Sequence, residues 1–242
     1  MNAREADLLG ARIAALVEDG RAGEACALLS PVLGERTPFR YLDRIGRAAG
    51  TGSIPGVSAF LEQIAAGRTE GGWVVIASAL GQQLEHDLVG AMVRCRAYVV
   101  EADVWYGADI LGERVPGPAL VADLKPTRVQ LAPWREDPSR WVRRTVGVAV
   151  HFWAKRSRGA PEMSAQAAAL LTLLEPMIGE WEMDAVKGVG WGLKTLGRRY
   201  PELVTDWLVE SEVGRRKHRA LMLRKATTYL SDEQRARVMD SV

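Results

Sequence analysis

Apolar residues in this chain recur three, four, seven and eight positions apart, and Gly or Pro breaks the pattern again and again. Leu8, Leu9, Ile13, Leu16 and Val17 make one such stripe, the spacing of an amphipathic helix face. The spacing returns over 57–64, 74–84, 89–100, 119–131, 142–153, 165–178, 183–196 and 221–230. Pro55, Gly71-Gly72, Pro116 to Pro118, Pro133, Pro138, Pro161, Gly179, Pro201 and Gly214 separate the stripes. No two-residue hairpin turn between alternating strands stands out. Helices this short cannot bury an apolar face alone, so neighbours must stack. The later segments repeat at roughly 40 residues, through the Trp141 helix, the Trp181/Trp191 region and the Arg219 helix, near the period of two-helix HEAT-like units. The expected fold is all-α: a HEAT-like helical-repeat solenoid, an α–α superhelix with one concave face. No linker is long or polar enough to demand a boundary, so residues 1–242 are expected to form a single domain.

Composition removes several classes. At 48% hydrophobic and 26% charged, the chain is an ordinary globular one. Cys26 and Cys95 stand 69 residues apart without Cys-x-x-Cys spacing, which argues against a disulfide framework or a cysteine zinc site. The longest largely apolar runs, 73–80 and 167–174, are far shorter than a membrane span. Arg4, Glu5 and Asp7 precede any apolar run, unlike a signal peptide. The expected setting is soluble and cytoplasmic, with no membrane partner. There is no GxxxxGK[ST] phosphate loop, dinucleotide-binding glycine fingerprint, HExxH or GxSxG, so no cofactor and no metal is expected. His86, His151 and His218 are scattered, and His151, inside an apolar helical run, reads as a satisfied core or groove residue.

Charge is uneven along the chain. Residues 1–124 carry 11 Lys and Arg against 16 Asp and Glu, and residues 125–242 carry 21 against 14. A basic second half suggests a surface that meets a polyanion. Of the 32 basic residues 26 are Arg, whose planar group matches phosphate, although a GC-rich genome would give the same bias.

Three constellations carry possible chemistry. Lys187, Trp191, Lys194 and Arg198 share one helical face. An indole among cations suits a phosphodiester backbone, with cations on phosphates. Equally, Trp191 could anchor the core while the cations snorkel around it, and spacing leaves both readings open. A helix near Asp137, with Asp137 as N-cap and Pro138 as first residue, opens with Arg140, Trp141, Arg143 and Arg144. Such an entrance suits phosphate contact or plain solvation. Finally, Trp105 and Asp109 lie one turn apart on one face, which fits an active pair or a surface Asp paired with an Arg.

In these segments the chain resembles the AlkD-type DNA alkylation-repair family, DNA glycosylases built of HEAT-like repeats. Trp105-x-x-x-Asp109 resembles the family's Trp and catalytic Asp. Trp141 with Arg143-Arg144-Thr145-Val146 resembles its Trp-x-x-Arg helix start, with Arg144 at the active-site arginine position. The run from Lys187 through Trp191 to Lys194 resembles its Lys-x-x-Gly-Trp-x-Leu-Arg helix, with Trp191 as second active-site aromatic. Tyr200 to Val204 and the segment 219–229 continue the likeness. Recognisable repeats thus cover 100–230, and the repeats over 1–95 are divergent. The sequence departs from the family pattern at Val104 and at Gly107-Ala108.

The resemblance implies an enzyme: a monofunctional alkylpurine DNA glycosylase. It would hydrolyse the N-glycosidic bond of cationic N3- or N7-alkylated purines, bulky adducts included, without full base flipping. Asp109, Trp105, Trp191 and Arg144 would form the active site. Arg140, Trp141, Arg143, Lys187, Lys194 and Arg198 would hold DNA. The partner would be double-stranded DNA containing alkylated purines, bound on the concave face by a monomer at the nucleoid. Two other readings remain: a non-catalytic HEAT-like protein that binds distorted or branched DNA, and a protein–protein interaction solenoid.

Overall fold

A computed structural model describes residues 1–210 and 217–241, and the breaker at Gly214 lies outside them. Every regular element among the described residues is helical. None of these helices is long and apolar enough to cross a membrane. The chain divides into two compact units, Met1–Val115 and Pro116–Val242.

In the first unit, α1 (Ala3–Glu18), α3 (Phe39–Ala49), α5 (Glu70–Gln83) and α7 (Trp105–Arg114) pack in succession. A second layer holds α2 (Ala22–Gly34), α4 (Ile54–Ala66) and α6 (Leu88–Ala102). This is the two-layer stacking of a helical repeat. α1 starts where the sequence supplies a capping box: the Asn2 side chain accepts from the Glu5 N–H at 3.0 Å and Glu5 accepts from the Asn2 N–H at 2.9 Å. Its buried face matches the expected one only at Ile13 and Val17. Ala6, Gly10, Ile13 and Val17 are buried, while Leu8 is 60% exposed. Small residues win because α3 comes close: a Cβ on Gly10 would lie 3.0 Å from Ala48 Cβ.

The far end of this unit is pinned by charge. The Arg114 Nε on α7 donates to Asp43 on α3 at 2.6 Å, and the Ser78 hydroxyl on α5 donates to the same carboxylate oxygen at 2.7 Å. Three helices are thereby tied at one carboxylate, which fixes the C-terminal end of α7.

In the second unit, α8 (Pro116–Ala122), α10 (Arg140–Ser157), α12 (Met183–Arg199) and α14 (Ala220–Ala226) pack in succession. α11 (Ser164–Leu174), α13 (Pro201–Glu210) and α15 (Asp232–Asp240) form the other layer, and α9 (Leu124–Leu131) lies beside α8. α10 and α12 touch through backbone. A Cβ on Gly147 would lie 2.2 Å from the Gly188 carbonyl oxygen, and one on Gly188 would lie 2.5 Å from that of Arg144. Each helical Gly costs about 1 kcal/mol against Ala, a cost offset here by the close approach. α10 begins two residues later than expected for an Asp137 cap. Ser139 is its N-cap, and the Asp137 carboxylate instead accepts the Ser139 N–H at 2.8 Å.

Candidate active site

The pair on α7 follows from a tight corner. α6 ends at Asp103 in the left-handed conformation, φ 46°, and Val104 is extended, so α7 starts at once with Trp105. Gly107 and Ala108 face the interior: a Cβ on Gly107 would lie 2.6 Å from Ala102 Cβ and 4.0 Å from the ring of buried Trp73. With that face inward, Trp105 is turned out and 56% exposed, its ring meeting Tyr106 edge-on at 5.7 Å. Asp109 follows one turn later and is half-buried. The small residues at 107 and 108, where the sequence leaves the family pattern, are the ones the corner admits.

The remaining expected residues belong to the second unit, on α10 and α12. Arg144 is only 7% exposed and donates through Nη1 to the Asp184 carbonyl at 3.1 Å. Arg140 is half-exposed, 4.8 Å over the Trp141 ring and 3.5 Å from the Asp184 carboxylate. Lys187 is exposed, 3.8 Å from the other Asp184 oxygen. Trp141 and Arg143 were expected on the DNA side. Trp141 is turned inward, 7% exposed, and supports α10. Arg143 is engaged within the protein: Nε donates to Glu180 at 2.6 Å and Nη1 to the Asp137 carbonyl at 2.6 Å. Both side chains of the Arg143–Glu180 pair are largely buried, so the pair seats the start of α12 against α10.

On α12 the face carrying Lys187, Trp191, Lys194 and Arg198 is the one its buried residues leave outward. Trp191 is half-buried and stacks flat on His151 of α10, with ring centroids 3.8 Å apart and planes 22° apart. The His151 Nδ1 lies 2.7 Å from the Thr195 hydroxyl, which also lies 3.0 Å from the Trp191 carbonyl. Burial, then the nearby Lys155, lowers the His151 pKa to about 4, so the imidazole is neutral near pH 7. The indole plane is thus held by a ring that is itself fastened to α12. Sequence reading missed this role for His151. The partners lie 40 residues apart, and the only sign was a histidine in an apolar stripe. It also missed Tyr229, whose exposed ring sits under Lys194 at 5.3 Å and Arg198 at 5.2 Å. Exposed Trp181 is covered similarly by Lys217 and Arg219. Among the described residues no group of His, Cys, Asp and Glu could hold a metal ion.

Residues 73–230 match the family model described as DNA alkylation repair enzyme. The chain belongs to that family. The matched region contains α7, α10 and α12, with each residue of the proposed site. Its role is in DNA alkylation repair, as an enzyme whose substrate is DNA. Comparison with curated proteins and with solved structures returned no match.

Proposed function

We propose that this DNA alkylation repair enzyme is a monofunctional glycosylase that releases cationic N3- and N7-alkylpurines from duplex DNA. The observation that supports this most is the α7 pair: an indole turned to solvent at the helix start and a half-buried carboxylate one turn behind it. Alkylation at N3 or N7 gives the base a positive charge, so it departs without a general acid. What remains is positive charge growing on the deoxyribose and a water to be placed. A fixed carboxylate serves both needs, as in enzymes that cleave glycosidic bonds through an oxocarbenium-like state. Asp109 takes that role, and the Trp105 face favours the same positive charge.

The second unit supplies the backbone contacts. Arg144 takes a phosphate near the lesion, and Trp191, held flat by His151, takes the adjoining sugar. Lys187, Lys194, Arg198 and Arg140 take flanking phosphates. An exposed Trp105 fits an enzyme that reads the damaged strand without drawing the base into a tight pocket, and such a site admits bulky adducts. The protein works as a monomer, in the cytoplasm, on nucleoid DNA.

The test is Asp109→Asn, assayed in single turnovers on duplex carrying 7-alkylguanine, with simple methyl and bulky lesions compared. Removing the carboxylate charge should slow base release by about 100-fold or more while duplex affinity holds. Base release at the wild-type rate would refute the role of Asp109. If the unmodified enzyme frees no base at large excess yet binds duplex, it is a DNA-binding protein of the same fold and not a glycosylase.

A further inference from the structure

Tyr229 belongs to the turn between α14 and α15, and α12 decides where that turn lies. A Cβ on Gly197 of α12 would meet the Ala226 carbonyl oxygen at 2.9 Å and Leu230 Cδ2 at 3.8 Å. The turn therefore lies directly on the helix, at a residue with no side chain to hold it off. Leu230 is buried, and its N–H donates to the Thr227 carbonyl at 3.2 Å. Ser231 then caps α15, accepting from the Gln234 N–H at 3.1 Å while Gln234 accepts from the Ser231 N–H at 2.9 Å. With the turn seated in this way, the Tyr229 ring stands at the surface, 46% exposed.

Lys194 and Arg198, one turn apart on α12, both lie against that ring. Like charges at this spacing repel one another. The electron-rich ring offsets the repulsion without neutralising either charge. Among the described residues no carboxylate pairs with Lys194 or Arg198. The carboxylates of α13 and α15 that form ion pairs do so with other residues: Glu202 and Asp206 with Arg237, and Asp232 with Arg235. Trp181, just before α12, differs in this respect. Its cation Arg219 also donates to the Trp181 carbonyl at 3.1 Å and is thus engaged within the protein.

From Lys194 the basic surface continues into a cleft of about 470 Å³ between α12 and α14, with Arg224 and Lys225 on its walls. The Lys225 stem lies over Gly190, where a Cβ would be 2.5 Å from Lys225 Cδ. A polyanion meeting this surface must order each long side chain that it engages, at a cost in rotamer freedom. Two side chains already resting on a ring have given up much of that freedom beforehand.

We propose that Tyr229 is a positioning residue for DNA: its ring holds the Lys194 and Arg198 side chains in the arrangement that meets backbone phosphates. This rests on the reading of duplex DNA as substrate, but not on base release.

The experiment measures binding of undamaged duplex by fluorescence anisotropy over a series of salt concentrations. It compares the wild type with Y229L, Y229F, the double variant K194Q/R198Q and the triple variant, each checked for folding by circular dichroism. Each phosphate neutralised contributes about 0.9 to the slope of log affinity against log salt, so K194Q/R198Q should flatten the slope by about 1.8. Y229L keeps every charge and should keep the slope, but should weaken binding about fivefold or more, because two side chains must then be ordered on contact. Y229F keeps the ring and should bind as the wild type does. In the K194Q/R198Q background Y229L should have no further effect, since a residue that acts only through those cations has nothing left to position. Unchanged affinity in Y229L overturns the proposal, and so does a loss in Y229F equal to that in Y229L. An equal loss from Y229L with and without the two cations also overturns it, and makes Tyr229 a direct contact or a structural residue. A wild type without salt-dependent duplex binding overturns both the proposal and the substrate reading. Salt-dependent binding by the wild type with unchanged Y229L affinity removes the role of Tyr229 and leaves the substrate reading standing.

Discussion

Replacing His151 by Phe keeps a flat ring against Trp191 but removes the group that takes up a proton. In the native protein the imidazole is buried between α10 and α12, 3.8 Å from the indole and 2.7 Å from the Thr195 hydroxyl. Its pKa is lowered from 6.5 to about 4, by burial first and by Lys155 second. Between those two values the unfolded chain binds a proton that the folded protein refuses. The stabilisation from a neutral His151 is therefore complete above the unfolded pKa of 6.5 and is lost as pH falls through about 4. At 1.36 kcal/mol per pKa unit, the gap between the two values amounts to about 3 kcal/mol. Urea unfolding followed by far-ultraviolet circular dichroism, at pH about 7.5 and pH about 4.5, measures it. Carboxylates titrate over the same range but are common to both proteins, so they cancel in the difference. The stability of wild type minus that of His151→Phe should fall by at least about 2 kcal/mol on acidification. A difference that stays level would show that His151 is accessible to protons, and the account of how Trp191 is held would fail.

Further outcomes follow from packing and charge. Arg143→Met should cost about 3 kcal/mol in urea unfolding, because Glu180 would remain buried without its cation. Adding Glu180→Gln should recover most of the loss. A stable Arg143→Met protein with weakened DNA binding would instead make Arg143 a DNA contact. Gly188→Ala should lower stability by about 1–3 kcal/mol, since the new Cβ would meet the Arg144 carbonyl oxygen at 2.5 Å. An unchanged melting temperature would mean that α10 and α12 separate freely. Trp153→Ala, which empties a fully buried site beside Tyr200, should cost about 3–5 kcal/mol by the same assay.

Much of the helical organisation was legible in the sequence, and for a local reason. Period and breakers act within one or two turns, so the helices around Trp141 and Trp191 could be placed without knowing their neighbours. The Lys187–Arg198 stripe was legible because angle around a helix depends on spacing alone. Faces were read less well. On α1 the conspicuous Leu8 is exposed, and Ala6 and Gly10 carry the contact. A hydrophobicity pattern rewards large residues, whereas closely packed helices need small ones. The glycines of α12 were the signal that could have been used: Gly188, Gly190, Gly192 and Gly197 within one helix are costly unless something presses against each.

The sequence therefore settled part of what each stretch of chain does within itself: where several of the helices run and which side chains share a stripe, though it read 119–131 as one stripe where α8 and α9 are two helices and missed α2 and α3. That information lies in spacing and in local backbone preference. It could not settle what each charge or ring meets. Arg143 and Lys225 are alike as sequence, each a cation in a basic helix. One is matched to Glu180, 37 residues away, and the other lies over Gly190 among like charges. Those fates depend on which helices lie side by side and how closely, and close approach is a property of the folded core.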